Sequence, residues 1–289
     1  MRKGIILAGG SGSRLGPITD SISKQLLPVY DKPMIYYPIS TLLLANIRDI
    51  LIISTPSHMP LYQELLGDGS QWGINLTFVI QNKPSGIGEA FILGEEFIED
   101  DDVALILGDN IFYGNDLANI LAESSASKNS ATIFAYNIDN PVDYGVVEIS
   151  EDNIALSIEE KPLIPKSNYA VTGLYFYDSS VVNIAKSLEP SARGELEITD
   201  INNVFLEKND LNVEVFGRGI AWLDTGTPQN LIEAGQFIST IQRRQGLLVA
   251  CPEEIAYTKG YISHQNLEKI ASKYASSDYS KYIKKLLLT

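Results

Sequence analysis

Cysteine occurs once in this chain of 289 residues, at Cys251. A single thiol forms no disulfide within the chain, which excludes a disulfide-stapled scaffold and fits a reducing compartment. No run approaches the ~20 apolar residues that cross a bilayer. The first apolar stretch, behind Met1-Arg2-Lys3-Gly4, is too short for a signal peptide. A soluble, cytoplasmic protein is therefore expected. Cations are scarce as well: 22 Lys and Arg stand against 36 Asp and Glu, for a formal net charge of −14. That balance argues against general nucleic-acid binding, which needs a basic face. It leaves room for phosphate ligands, because a few local cations and a metal set the potential of a site. Low-complexity linkers and internal repeats are missing too. What the chain does have is 45% hydrophobic residues, enough for a large core in one composite domain over residues 1–289.

The chain is organised around its first glycine-rich turn. Lys3-Gly4-Ile5-Ile6-Leu7-Ala8 is a short apolar run that reads as a buried parallel strand. It opens into Gly9-Gly10-Ser11-Gly12-Ser13-Arg14. Glycines let backbone N–H groups converge on an anion, and Arg14 adds a planar fork of donors suited to phosphate. The glycines alone serve an ordinary strand-to-helix turn equally well. A Walker loop is excluded because no lysine follows them, and a dinucleotide fingerprint breaks at Leu15.

From residue 3 to about 110 apolar strands (3–8, 50–54, 76–80, 103–107) alternate with helical stretches (34–46, 57–66, 89–98). The alternation predicts an α/β, doubly wound, mostly parallel mixed sheet with ligands beyond the strands' carboxyl ends. The next part is richer in strands (131–137, 145–149, 154–159, 169–177, 211–216), interrupted by a helix over 200–208. A helical region covers 228–289, with Pro228 near its first position. Its last segments read as short amphipathic helices that simply pack against the sheet.

Two acids end apolar strands, in Leu107-Gly108-Asp109-Asn110 and in Ala221-Trp222-Leu223-Asp224-Thr225-Gly226-Thr227. Each is either a cap for the next element or a ligand for a hard cation such as Mg²⁺. Ser157-Ile158-Glu159-Glu160-Lys161-Pro162 ends a further strand and reads by default as a solvated charge cluster. Gln81 follows a strand, and its carboxamide offers the one acceptor and two donors that suit the N3–H and carbonyl edge of thymine or uracil.

The glycine-rich loop ending in Arg14, followed by Ser23-Lys24-Gln25-Leu26-Leu27-Pro28-Val29, resembles the signature of sugar-nucleotide pyrophosphorylases. Tyr30-Asp31-Lys32-Pro33-Met34-Ile35-Tyr36-Tyr37-Pro38 narrows the likeness to the glucose-1-phosphate thymidylyltransferase branch, and the resemblance runs almost the whole chain. It implies a Rossmann-like nucleotide-diphospho-sugar transferase fold, with a nucleotide-binding half to about residue 110 and a sugar-binding half over 111–227. The implied nucleotide contacts are Leu7, Gly9, Gly10, Ser11, Gly12, Ser13, Gln25, Gln81, Gly86 and Asp109. Arg14, Lys24 and Lys161 carry the implied catalytic charges, and Asp109 and Asp224 match the pair that holds magnesium. Tyr144, Gly145, Glu160, Lys161, Val171, Tyr175 and Arg193 fall on the family's sugar-phosphate wall, while Glu195 and Glu197 read as caps of the next helix. The chain departs from the branch at Gly86-Ile87-Gly88-Glu89-Ala90, where Gly-Leu-Ala-Gln-Ala is usual.

The implied reaction joins dTTP and α-D-glucose 1-phosphate into dTDP-glucose and pyrophosphate, the entry to dTDP-rhamnose and other deoxysugars. A sugar-phosphate oxygen, already anionic, attacks the α-phosphorus in line, so holding two anions together is the main task. The resemblance further implies a homotetramer and a second, regulatory nucleotide site near Phe112-Tyr113-Gly114, Gly217-Arg218-Gly219 and Ala250-Cys251-Pro252-Glu253-Glu254. Two alternatives stay open: the same chemistry on UTP or another nucleotide, and a non-catalytic sugar-nucleotide sensor. Rates on four nucleotides separate the first and pyrophosphate release the second.

Overall fold

The computed structural model describes residues 2–10, 12–127, 130–273 and 276–288. Its strands are β1 (Arg2–Leu7), β2 (Pro28–Val29), β3 (Lys32–Pro33), β4 (Asp49–Ser54), β5 (Asn75–Ile80), β6 (Asp102–Leu107) and β7 (Asn110–Gly114), then β8 (Ala131–Asn137), β9 (Gly145–Ile149), β10 (Ala155–Glu160), β11 (Tyr169–Tyr177), β12 (Leu211–Phe216) and β13 (Ile220–Asp224). Among the described residues one sheet runs β10-β9-β11-β6-β1-β4-β5, with β8 on the other edge of β11 and β12 beyond it. The first half, β6-β1-β4-β5, is parallel throughout. Around the long β11 the pairing turns antiparallel, with β6, β8 and β9, and only β8–β12 is parallel there. The sheet is thus mixed, its parallel character concentrated in the half built from βα repeats.

The apolar runs explain that half. Ile5, Ile6, Ile50 to Ile53 and Val103 to Ile106 are fully buried, as strands covered on both faces must be. The helices are α1 (Tyr36–Leu44), α2 (Met59–Leu66), α3 (Glu89–Leu93), α4 (Glu95–Ile98), α5 (Leu117–Ala126), α6 (Val181–Ser187), α7 (Ile198–Glu207), α8 (Pro228–Gln245), α9 (Pro252–Thr258), α10 (His264–Lys273) and α11 (Asp278–Leu286). α1, α2 and α5 fill one face of the sheet and α3, α4, α6 and α7 the other. α1 is apolar almost all round because it lies between the sheet and α9, where Tyr36 meets Trp72 edge-on. The three last helices are amphipathic as expected but pack on α1, the turn at Ser70–Trp72 and one another rather than on the sheet, tied down where Glu253 accepts from Trp72 Nε1 at 3.0 Å and from the Tyr279 hydroxyl. No helix of the described residues is long and apolar enough to cross a membrane.

Element boundaries move by one or two residues from expectation, and one helix differs in kind. The stretch 89–98 is two helices, α3 and α4, hinged at Gly94. There an added Cβ would lie 3.0 Å from the Ala90 carbonyl oxygen and from Ile5 Cδ1, so the chain presses against β1 at its glycine. α8 starts as Pro228 predicts, and the Thr227 hydroxyl caps it by accepting from the Asn230 N–H at 3.2 Å. β7, α5 and α6 are elements that the sequence pattern does not announce, while β13 is the apolar strand expected to end at Asp224.

Candidate active site

The end of β1 carries the glycine-rich turn over the sheet's carboxyl edge. Ala8 is pinned between β1 and β4: its N–H donates to Ile53 O and its carbonyl accepts from the Ser54 hydroxyl. Beyond it the backbone takes positive φ at Gly10 (121°) and Gly12 (59°), conformations that favour glycine. Thr19 Oγ1 donates to Gly12 O at 2.8 Å and closes the loop. Ser11 lies outside the described residues. Leu7, Gly9, Gly10, Gly12, Ser13 and Arg14 then line one side of a cavity of about 280 Å³; Lys24, Gln25, Ile87, Leu107, Asp109 and Gly226 line the rest. Gly108 is required there, because a Cβ would stand 2.8 Å from Gln25 Cγ.

The two strand-end acids, distant in sequence, meet beside this cavity. Asp109 follows β6 and leads into β7; β13 returns antiparallel to β7 with Asp224 opposite Asn110. The turn after β13 is bound back, since the Thr225 hydroxyl donates to Asp109 O at 2.9 Å. Lys24 Nζ pairs with Asp109 Oδ2. An ideal Cβ on Gly226 would lie 3.0 Å from both Arg14 Nη2 and Asp224 Oδ1, which puts that guanidinium beside the second carboxylate. Burial, and then the neighbouring Asp109, push the Asp224 carboxyl above its ordinary range, against the pull of Lys24 and Arg14. Among the described residues no group of three or more His, Cys, Asp or Glu is placed to hold a metal. Two converging carboxylates next to a phosphate-sized hollow are the donor set that Mg²⁺ takes when phosphates and waters complete its shell.

Tyr144 links this centre to the strand-rich half. Its hydroxyl donates to Asp224 Oδ2 at 3.3 Å, and burial together with Asp224 pushes it up to about 12. Its carbonyl accepts from the Lys161 N–H at 3.0 Å, holding the turn after β10. A Cβ on Gly145 would meet Thr199 Oγ1 at 3.3 Å, Glu160 Oε2 at 3.5 Å and Val171 at 3.9 Å, so these four surround one point. Glu160 accepts from the Thr199 hydroxyl at 2.6 Å and from Arg193 at 3.3 Å, and lies 3.6 Å from Lys161 Nζ. Tyr175 is buried, and its phenol is raised by burial first and then by Glu160 and Asp109. Glu197 does not act as a side-chain cap. It stands at the cap position of α7 with no cap bond, because its carboxylate accepts instead from Arg193 (2.7 and 3.1 Å) and the Ser191 hydroxyl.

On the opposite side, Gln81 is 3% exposed at the end of β5 and abuts Gly9, where an added Cβ would overlap its Oε1. Gly86 has φ 102° and presses on Leu196, whose N–H and carbonyl bond to Ser85 O and the Gly88 N–H. The nucleotide-side loop is thereby tied to the segment that carries Arg193.

Several contributors escape a reading of the sequence. Asn110 takes Trp222 Nε1 at 2.6 Å and the Gly173 N–H at 3.0 Å on its Oδ1, and donates from Nδ2 to Asp109 Oδ1 at 2.9 Å. It thus fixes the first aspartate from behind. Its place directly after Asp109 is the only sequence signal. A second cavity, about 690 Å³, is lined by Tyr113, Gly114, Asn115, Gly219, Ile220, Ala221 and the α8 residues Phe237, Ile241 and Gln245, with Leu247. It joins two of the three segments expected for a second nucleotide site. The stretch 250–254 does not line it.

A glycine-lined hollow, two convergent carboxylates and flanking cations sit together on a mixed α/β sheet, and residues 3–241 match the family model described as nucleotidyl transferase. The chain belongs to that family. A glucose-1-phosphate thymidylyltransferase of Neisseria meningitidis is 55% identical over 285 residues, 99% of each chain. One from Mycobacterium tuberculosis is 54% identical over the same length and coverage. A Bacillus anthracis structure described as a glucose-1-phosphate thymidylyltransferase superposes with a TM-score of 0.76 at 44% identity, covering 82% of this chain and 95% of that one. A UDP-glucose pyrophosphorylase structure, 24% identical with a TM-score of 0.73 over 83% of this chain and 99% of that one, shares the fold.

Proposed function

We propose that this protein transfers a thymidylyl group from dTTP to α-D-glucose 1-phosphate, releasing pyrophosphate and forming dTDP-glucose. The observation that carries the reading is the meeting of Asp109 and Asp224 with Lys24 and Arg14 around the Gly9–Arg14 hollow. The relatives' names supply the nucleotide and the sugar.

The chain's work is electrostatic and positional. Backbone N–H groups of the glycine-rich turn and Arg14 hold the β- and γ-phosphates, and Lys24 faces the α-phosphate. Gln81 and the Gly86 backbone take the base edge. Glu160 and the Gly145 backbone take sugar hydroxyls, with Val171 and Tyr175 as the apolar wall. Arg193 and Lys161 hold the sugar phosphate beside the nucleotide, an approach two anions resist in free solution. Asp109 and Asp224 would hold Mg²⁺, which when bound neutralises charge that develops on the phosphates. Asn110 and Tyr144 keep those two carboxylates aimed. We further assign the protein to the cytoplasm, to a homotetramer and to the first step of dTDP-rhamnose or related deoxysugar synthesis. The cavity beside β7 and α8 is its candidate regulatory nucleotide site.

A pyrophosphate-release assay over dTTP, UTP, ATP and GTP with several hexose 1-phosphates tests the reading. dTTP with α-D-glucose 1-phosphate should be fastest, with UTP trailing by no more than the ~1–3 kcal/mol that one methyl group is worth. Absence of release from dTTP with every sugar phosphate refutes it.

A further inference from the structure

Glu89 has no role in the reaction as proposed, yet its carboxylate touches the residue assigned to the base. Glu89 Oε2 accepts from Gln81 Nε2 at 2.7 Å and from the Ser85 N–H at 3.3 Å. A carboxylate only accepts, so it dictates which end of the Gln81 amide faces it. The amide nitrogen turns to Glu89 and the oxygen turns to Gly9, the cavity wall, where Oε1 fills the space an added Cβ would occupy. Both contacts give the same orientation. Gln81 is almost wholly buried, so no solvent competes to turn it over.

We infer that Glu89 is a positioning residue that sets base selectivity by locking Gln81 with its acceptor toward the nucleotide. The inference deepens the proposed function and rests on Gln81 reading the base. An acceptor facing position 3 of a pyrimidine matches the N3–H of thymine and uracil and opposes the N3 lone pair of cytosine. A mismatch of that kind in a buried polar site discriminates far more strongly than a methyl group does. Where glutamine, usual in the branch, stands in place of Glu89, it can accept from Gln81 or donate to it, and so permits both orientations.

The test is the ratio of Kd values for dCTP and dTTP, read by isothermal titration calorimetry on the full chain without sugar phosphate. Glu89→Met removes the acceptor at similar length, and Glu89→Gln keeps a conditional one. Glu89→Met should shrink the dCTP/dTTP ratio at least about tenfold, chiefly by weakening dTTP, and Glu89→Gln should fall between it and the parent protein. Turnover at saturating dTTP should stay within about twofold of the parent, because the change is in binding. A parent-like ratio in a folded Glu89→Met variant, checked by its melting temperature, overturns the inference. So does a parent protein that binds both nucleotides equally. Failure of pyrophosphate release would instead strike the proposed reaction, and the Kd ratio would still judge Glu89.

Discussion

Replacing either aspartate of the centre by asparagine should abolish most of the activity, but the two changes should move stability in opposite directions. Asp224 is ionised against its surroundings: burial and Asp109 raise its pKa, so the folded state disfavours the charge it must carry at neutral pH. Asp224→Asn keeps the shape and removes that charge. Stability should hold or rise, by up to about 1 kcal/mol. Asp109 makes a different contact. Its carboxylate neutralises Lys24, and the two side chains are only 17% and 12% exposed. Asp109→Asn takes away the carboxylate paired with that ammonium and leaves it only the electrostatic pull of Asp224, at a cost of about 1–3 kcal/mol. For a chain of this length that is roughly 1.5–2 °C in Tm per kcal/mol. Turnover should fall in both variants by about 10²–10³, the few kcal/mol that one preorganised charge contributes to a transition state. Calorimetric melts and pyrophosphate release, read in one magnesium buffer near neutral pH, measure both effects. Equal Tm losses in the two variants, or parent-like turnover in either, would refute the assignment of one carboxylate to a cation and both to the chemistry.

Three further outcomes follow from local geometry. Gly9→Ala drives a methyl into Gln81 Oε1, so dTTP binding measured by calorimetry should weaken by the ~1–3 kcal/mol of an overpacked contact, and unchanged affinity speaks against Gln81 at the base. Glu214 is raised above its ordinary 4.5 by burial and then by Glu123. Its folded form therefore keeps the proton to higher pH than the unfolded chain, and stability is lost as pH rises through that window. Glu214→Gln should raise Tm at neutral pH, with the gain vanishing as the pH falls below the carboxylate range; a gain that grows on acidification would reverse the sign and sink the argument. Phe134 is fully buried, stacked on Phe216 with centroids 5.3 Å apart and edge-on to Phe176 at 5.2 Å. Phe134→Ala should cost about 3–5 kcal/mol in urea melts, and a loss below about 1 kcal/mol would mean the two halves of the sheet do not share this core.

Much of this was readable from residue order because it is local. The run Lys3 to Ala8 is apolar on both faces, so its burial and parallel pairing follow from composition. Pro228 and Thr227 state the start of α8 by their own backbone chemistry. Resemblance pointed to Arg14, Lys24, Asp109 and Asp224; the first three line one hollow, and Asp224 stands beside it near Gly226. The broken helix at Gly94 was less legible, because the contact that requires the glycine comes from Ile5 on another element. Glu197 misled for a related reason. Its position before α7 has the form of a cap, but a guanidinium four residues back outcompetes the helix amides for its carboxylate.

The centre itself depends on register, which no local pattern encodes. β7 is a five-residue strand with mixed polar and apolar sides, too short and irregular to announce itself, and the apolar strand that ends at Asp224 does not say which strand it pairs with. Yet their pairing of Asn110 with Asp224 is what puts two like charges side by side. A slip of one residue would turn Asp224 to the other face of the ribbon and set Leu223 or Thr225 in its place. Two contacts hold the register, Trp222 Nε1 on Asn110 and the Thr225 hydroxyl on Asp109 O, while the Gly173 N–H of β11 fixes the same Asn110 oxygen. Gly173 can serve only as glycine, since a Cβ there would stand 2.7 Å from the Asn110 amide. Repulsion between the two carboxylates opposes the arrangement, so the ribbon is where the fold gives up stability to assemble a charged centre.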